Sequence, residues 1–128
     1  MGIHYEFHDN LAVFTYSGDF DMRTLVETWD QAIADPAFKA VTKVLVDGRM
    51  SELNMPTEQM ELQAIYVART KRLRTAKWAV VAEINSLAFG LSRMFQMFAE
   101  DDGLDIQVFK DYDEALAWLS ADAPAPPA

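Results

Sequence analysis

Apolar and polar positions change period several times along the chain, and each change marks an element. Ile3, Tyr5 and Phe7 alternate with His4, Glu6 and His8. A period of two predicts a strand with one apolar face. Asp9-Asn10 supplies turn chemistry and LAVFTYSG follows as a second strand, so the two read as an antiparallel hairpin. After Gly18 the period becomes helical: Met22, Leu25, Trp29 and Ile33 share one stripe. Asp21 stands where an N-cap belongs, and Phe20 and Leu25 have the spacing of a hydrophobic staple. Asp35-Pro36 stops this helix. Residues 41–47 read as a third strand, and its VLV run is continuously apolar, as in a central strand covered on both faces. Residues 48–55 read as a loop.

The next helix starts near Pro56 or Thr57 and runs to about Leu73. It carries two apolar stripes: Leu62, Ile65, Tyr66 and Leu73 on one side, Met60, Ala64 and Val67 on another. From residue 77 to residue 119 the order is plain. KWAVVAE is a strand, SLAFGLSRMFQMFAEDDG a helix, DIQVFKD a strand and DYDEALAWL a helix. Ser86 is placed to cap the first of these helices and Gly103 to stop it. Leu87, Leu91, Met94, Phe95 and Phe98 form its apolar stripe, and Phe89 falls on the opposite side. Asp111 with Glu114 has the spacing of an acidic capping box. Two successive strand–helix units predict a sheet covered by helices. The expected fold is therefore α/β: a mixed five-stranded sheet, with an N-terminal antiparallel hairpin followed by βα units, and about four packed helices. One domain spans residues 1–120, and ADAPAPPA at 121–128 reads as an extended or disordered tail.

Composition narrows the classes. A chain of 128 residues, 51% hydrophobic and 24% charged, is long enough to bury one core without staples. There is no cysteine, so disulfide, thiolate and zinc–thiolate chemistry are excluded. The N-terminus lacks the basic and apolar regions of a signal peptide, and no apolar run reaches the ~18 residues of a membrane span. The expectation is a cytoplasmic protein, with peripheral membrane association one option. The net charge of −9 disfavours nucleic acid, whose binding rests on cations at phosphates. Against that balance, Arg69, Lys71, Arg72, Arg74 and Lys77 cluster within nine residues. They read either as a solvated helix end complementing the dipole or as a site for an anionic partner, a lipid headgroup or an acidic protein surface.

The chemistry-bearing residues are few. A phosphate-cradling glycine loop, HExxH and GxSxG are all missing from the sequence. His4 and His8 share a strand face, but four residues of strand separate them by about 13 Å, too far for one ion. No metal or cofactor is expected. Asp47 and Glu83 fall at the C-terminal ends of predicted parallel strands, where α/β sheets bind ligands. Asp47 with Arg49, and Glu83 with Asn85 and Ser86, form a candidate polar rim; the alternative is that they cap helices or pair with the basic cluster. Phe89, off its helix's stripe, forms a candidate apolar groove with Met55 and Met60, whose thioethers suit adaptable contacts. The basic cluster is expected along the same rim.

Three segments carry a family resemblance: the DPAF turn with the KVLVD strand, the SLAFGLSRMFQMFAE helix, and the IQVFKDYDEALAWL ending. Together they resemble the SpoIIAA-like family, which shares its fold with STAS domains and, more distantly, with CRAL-TRIO lipid-transfer domains. The resemblance implies a binding or regulatory role without established catalysis. In STAS anti-sigma antagonists, a loop after the third strand carries a phosphorylatable serine in an Asp-Ser-Ser-Gly-type motif. Here the comparable region, residues 47–58, has Ser51 and Thr57 as its hydroxyls and lacks the paired serine and the glycine. Thr57 stands at a helix start, where free N–H groups favour a phosphate; the alternative is that it simply caps that helix. The leading expectation is a non-enzymatic domain for a hydrophobic or amphipathic ligand or an anionic membrane surface. Its rivals are a STAS-like protein-interaction module in a phospho-regulated switch and a small enzyme using Asp47 or Glu83. A homodimer fits any of them, with no interface identified.

Overall fold

The computed structural model describes residues 2–52, 56–83, 86–101 and 103–121. Its sheet has the strand order β1-β2-β3-β4-β5, formed by Gly2–His8, Leu11–Gly18, Lys43–Ser51, Lys77–Val81 and Asp105–Phe109. β1 and β2 are antiparallel, and the other three pairings are parallel. Asp9, in the turn between β1 and β2, has φ of 57°, the left-handed conformation that tight hairpins demand and Asp tolerates. The mixed five-stranded sheet is the expected one.

Four helices of nine residues or more pack on it: α1 (Met22–Ala34), α2 (Thr57–Arg69), α4 (Leu87–Asp101) and α5 (Tyr112–Ser120). A single turn, α3 (Lys71–Arg74), follows α2, and one 3-10 turn (Pro36–Ala40) precedes β3. The strands succeed one another in sequence order, and βαβ crossovers are right-handed. That combination puts α1, α2 and α4 on one face. There Phe14, Leu25, Trp29, Phe38, Val44, Met60, Leu73, Trp78 and Phe95 form the larger core. Leu45, Ala79, Val81, Ala115 and Leu119 form the smaller core beneath α5 on the other. Alternate residues of the VLV run thus feed two cores, the reason the run is apolar throughout.

The caps follow local chemistry. Asp21 Oδ1 accepts the Thr24 N–H at 2.9 Å, and Asp111 Oδ1 accepts the Asp113 N–H at 2.9 Å. Ser86 Oγ accepts the Phe89 N–H at 3.0 Å and donates to the Glu83 carbonyl at 2.6 Å. α2 differs: its N-cap is Pro56, which offers no side-chain hydrogen bond. Gly103, with φ of 87°, stops α4 as expected.

Two expected element ends, those of β3 and α2, need correction, and the structure decides which α2 stripe is buried. β3 runs to Ser51, so 48–51 is strand and not loop: Met50 pairs with Ser17, and Ser51 with Gly18, after a register shift between Thr15 and Ser17. The shift is a bulge, and it hides the continuing strand by breaking the alternation of side chains. In α2 the core stripe is Met60, Ala64 and Val67, whereas Leu62 is 58% exposed. The helix also ends at Arg69 and does not run to Leu73, which α3 buries separately.

Candidate functional site

The helices on the larger face leave a gap. Tyr16 of β2, Trp29 of α1, Met60, Gln63 and Tyr66 of α2, and Phe95 of α4 line a cavity of about 80 Å³ above the C-terminal half of the sheet. Gly48 and Ser51 also line it; the bulge turns Ser51 toward this side. A Cβ on Gly48 would stand 3.3 Å from the Val81 carbonyl oxygen, so the position keeps β3 and β4 in close approach.

Polar groups at this cavity are few and mostly engaged. The Trp29 indole N–H donates to the Tyr16 hydroxyl at 2.9 Å, both residues being buried. Burial pushes the Tyr16 phenol pKa up, and the Trp29 hydrogen bond only partly opposes the shift. The Tyr66 hydroxyl donates to Asp30 Oδ1 at 2.6 Å, tying α2 to α1. Its phenol is also raised, first by partial burial and then by the bond to Asp30 and its negative charge. Gln63, three residues after Met60 and four before Val67, puts an amide on the core stripe.

A second polar cluster lies on the opposite face. Arg49 donates from Nε to Asp47 Oδ1 at 2.9 Å and from one terminal nitrogen to Oδ2 at 2.8 Å. The Arg49 backbone N–H adds a third bond to Oδ1 at 3.1 Å. Burial is the largest influence on the Asp47 carboxyl and would raise its pKa. The Arg49 side chain, backbone N–H and charge together outweigh it, and the net shift is downward. The guanidinium sits 4.9 Å from the centre of the Tyr112 ring, which joins the end of β3 to the start of α5. A carboxylate locked in this way is a poor proton carrier near neutral pH.

The structure separates most of the residues expected to share one rim. Met60 lines the cavity, but Phe89 is half-buried and does not. Met55 and Asn85, and the side chains of Thr57 and Arg72, lie outside the described residues. Asp47 and Arg49 face α5 and not the cavity. Ser86 is the cap of α4, and Glu83 is exposed and accepts from Ser86 through its backbone carbonyl. The basic cluster is at the far end of α2 from Met60, beside the N-terminal ends of the strands. There Arg69, Lys71 and Arg74 are exposed. Lys77 is turned inward: its Nζ donates to the Trp118 carbonyl at 2.8 Å and lies 4.1 Å from the ring centre. The single rim of apolar, polar and basic groups is therefore incorrect, because the parity of β3 and the length of α2 send these groups to different faces and ends; of its polar part, Asp47 and Glu83 do meet at Arg49, which pairs with the first and feels the charge of the second. Sequence reasoning missed Tyr16, Trp29 and Tyr66 as one site. Gln63 was the available signal, a polar residue on the stripe that Met60 and Val67 define.

Comparison with solved structures identifies the architecture. An anti-sigma factor antagonist from Mycobacterium paratuberculosis matches with a TM-score of 0.57 and 22% identity, over 92% of each chain. The anti-sigma factor antagonist SpoIIAA in its unphosphorylated form matches with a TM-score of 0.62 and 13% identity, over 94% of this chain and 97% of that one. An uncharacterized protein with a SpoIIAA-like fold from Shewanella loihica matches with a TM-score of 0.58 and 17% identity, over 92% of each. No family model and no curated protein matches the chain. The chain has a SpoIIAA/STAS-like fold. Among the described residues no helix is long and apolar enough to cross a membrane.

Proposed function

We propose that this chain is a non-enzymatic, STAS-like protein-interaction module that works in a regulatory switch. The observation that supports it is the end-to-end likeness to two anti-sigma factor antagonists, each spanning at least 92% of both chains. The start of α2 is the switch. It alone among α1, α2, α4 and α5 begins without a side-chain cap from the preceding residue, and Thr57 is its first residue. A phosphate there would stand at a helix N-terminus to which Pro56 gives no side-chain cap and add up to two negative charges beside Glu58. Ser51, the other acceptor, is half-buried at the cavity and already has a partner, which leaves Thr57 as the better substrate. Mass spectrometry of protein from its own cells tests this reading. A phosphate on the Thr57 peptide, with Thr57→Glu and Thr57→Ala changing partner binding in opposite directions, is the expected result. An unmodified peptide in every growth condition contradicts the switch.

The cavity favours a second reading, a hydrophobic ligand. An engineered cavity of about 150 Å³ holds benzene, so one of about 80 Å³ takes the end of an apolar group rather than a whole molecule. A solvatochromic dye with a short alkyl terminus should bind, and Gln63→Leu or Met60→Trp should change its affinity. Binding unchanged by both variants would place the dye elsewhere. A membrane surface at Arg69, Lys71 and Arg74 is a separate matter; vesicles with and without anionic lipid, at low and high salt, test it. The carboxylate enzyme has less support, because Asp47 is locked by Arg49 and neither Asp47 nor Glu83 lines the cavity.

A further inference from the structure

One edge of the sheet is β1. Among the described residues its seven residues pair on one side only, with β2, in an unbroken register from Gly2↔Ser17 to His8↔Leu11. Natural proteins protect such edges with short length, charged side chains, proline or a bulge. β1 has no proline, lysine or bulge, and a single exposed carboxylate, Glu6, whereas the opposite edge, β5, is only five residues long. We infer that β1 is a self-association edge, pairing antiparallel with β1 of a second copy about a two-fold axis through Tyr5.

The register follows from the side chains. An axis normal to the sheet keeps each face on its own side, so residues opposite one another must have the same parity. Centred on Tyr5, the pairing uses the whole strand. His4 then faces the partner's Glu6, Glu6 faces the partner's His4, and Ile3 faces the partner's Phe7. Centred on Glu6, two carboxylates would oppose each other, and like charges directly opposite destabilise a pairing; centred on His4, Glu6 would face Gly2 and gain no partner. Of these three, the Tyr5 register alone sets an imidazole N–H donor opposite a carboxylate acceptor. Within one copy the Glu6 carboxylate already lies 3.4 Å from His4 Nε2 and 3.2 Å from His8 Nε2. On the other face Ile3, Tyr5 and Phe7 pack on the core but remain half-buried. A neighbouring strand would continue that apolar row and cover its exposed side. The occupant is a second copy because the edge is complementary to itself.

Sedimentation of the full chain over a concentration series tests the pairing. A monomer–dimer equilibrium is expected. His4→Glu and Glu6→His should each weaken it about ten-fold, from two symmetry-related pairs, and the double exchange His4→Glu/Glu6→His should restore it. Thermal melts control for folding; these exposed positions should leave stability almost unchanged. A chain that stays monomeric up to its solubility limit overturns the inference. So does a dimer indifferent to the single changes, or one that the double exchange fails to rescue.

Discussion

Tyr16→Phe removes one oxygen from the floor of the cavity, and its consequence can be worked out from one contact. The Trp29 indole N–H has the Tyr16 hydroxyl as its acceptor at 2.9 Å, and Trp29 is only 3% exposed. Without that oxygen the donor is left buried and unpaired, which costs about 1–3 kcal/mol. Against a total stability on the order of 5–15 kcal/mol this is a large fraction. For a chain of this size it corresponds to about 3–5 °C in Tm per kcal/mol. Trp29→Phe alone confounds the bond with lost packing, because the indole also stacks on Phe14 at 3.6 Å and on Trp78 at 5.3 Å between ring centres. A double-mutant cycle separates the two effects. Urea unfolding of wild type, Tyr16→Phe, Trp29→Phe and the double variant should give a coupling of about 1–2 kcal/mol. Coupling within error of zero would refute the reasoning. It would mean that water in the cavity accepts the indole hydrogen bond when the phenol is gone, and that the cavity is wet and not apolar.

Other outcomes follow from the polar contacts. Arg49→Ala should destabilise by about 1–3 kcal/mol at neutral pH, less than a fully buried pair, because the Arg49 side chain is 40% exposed. In wild type the Asp47 pKa is depressed, so its stabilisation is complete above the ordinary carboxylate value and is lost as pH falls below about 4. Without the guanidinium, burial dominates and lifts that pKa. The penalty of the variant should therefore shrink between pH 7 and about 4, and chemical unfolding at several pH values checks the sign. Lys77→Met loses the bond to the Trp118 carbonyl and the contact with its ring, at a cost of about 1–2 kcal/mol. Hydrogen exchange should then show protection lost first at the end of α5.

Legibility in the sequence divides along physical lines. Asp21, Ser86 and Asp111 were readable as caps because capping is settled within four residues. The VLV run of β3 was readable because burial on both faces removes polar residues altogether. The end of β3 was not, since a bulge at Gly48–Arg49 cancels the alternation by which a strand is recognised. The buried face of α2 was not readable either: both of its stripes are apolar, and only the burial of Met60, Ala64 and Val67 in the larger core decides between them. The expected site failed for a related reason. Asp47 and Met60 are close in sequence, but strand parity sends Asp47 toward α5 while Met60 turns to the larger core. The basic cluster begins two residues past Val67, the last residue of α2 to line the cavity, but Arg69, Lys71 and Arg74 turn to solvent there, a direction invisible to composition.

The proposal that this fold serves as a docking module is tested most directly by cross-linking inside the cells that make it, followed by mass spectrometry. Residues around the start of α2 should link to one second protein, and Thr57→Glu should abolish those links while those of Thr57→Ala persist. If the chain links only to copies of itself, or links to other proteins identically in both variants, the regulatory reading is wrong.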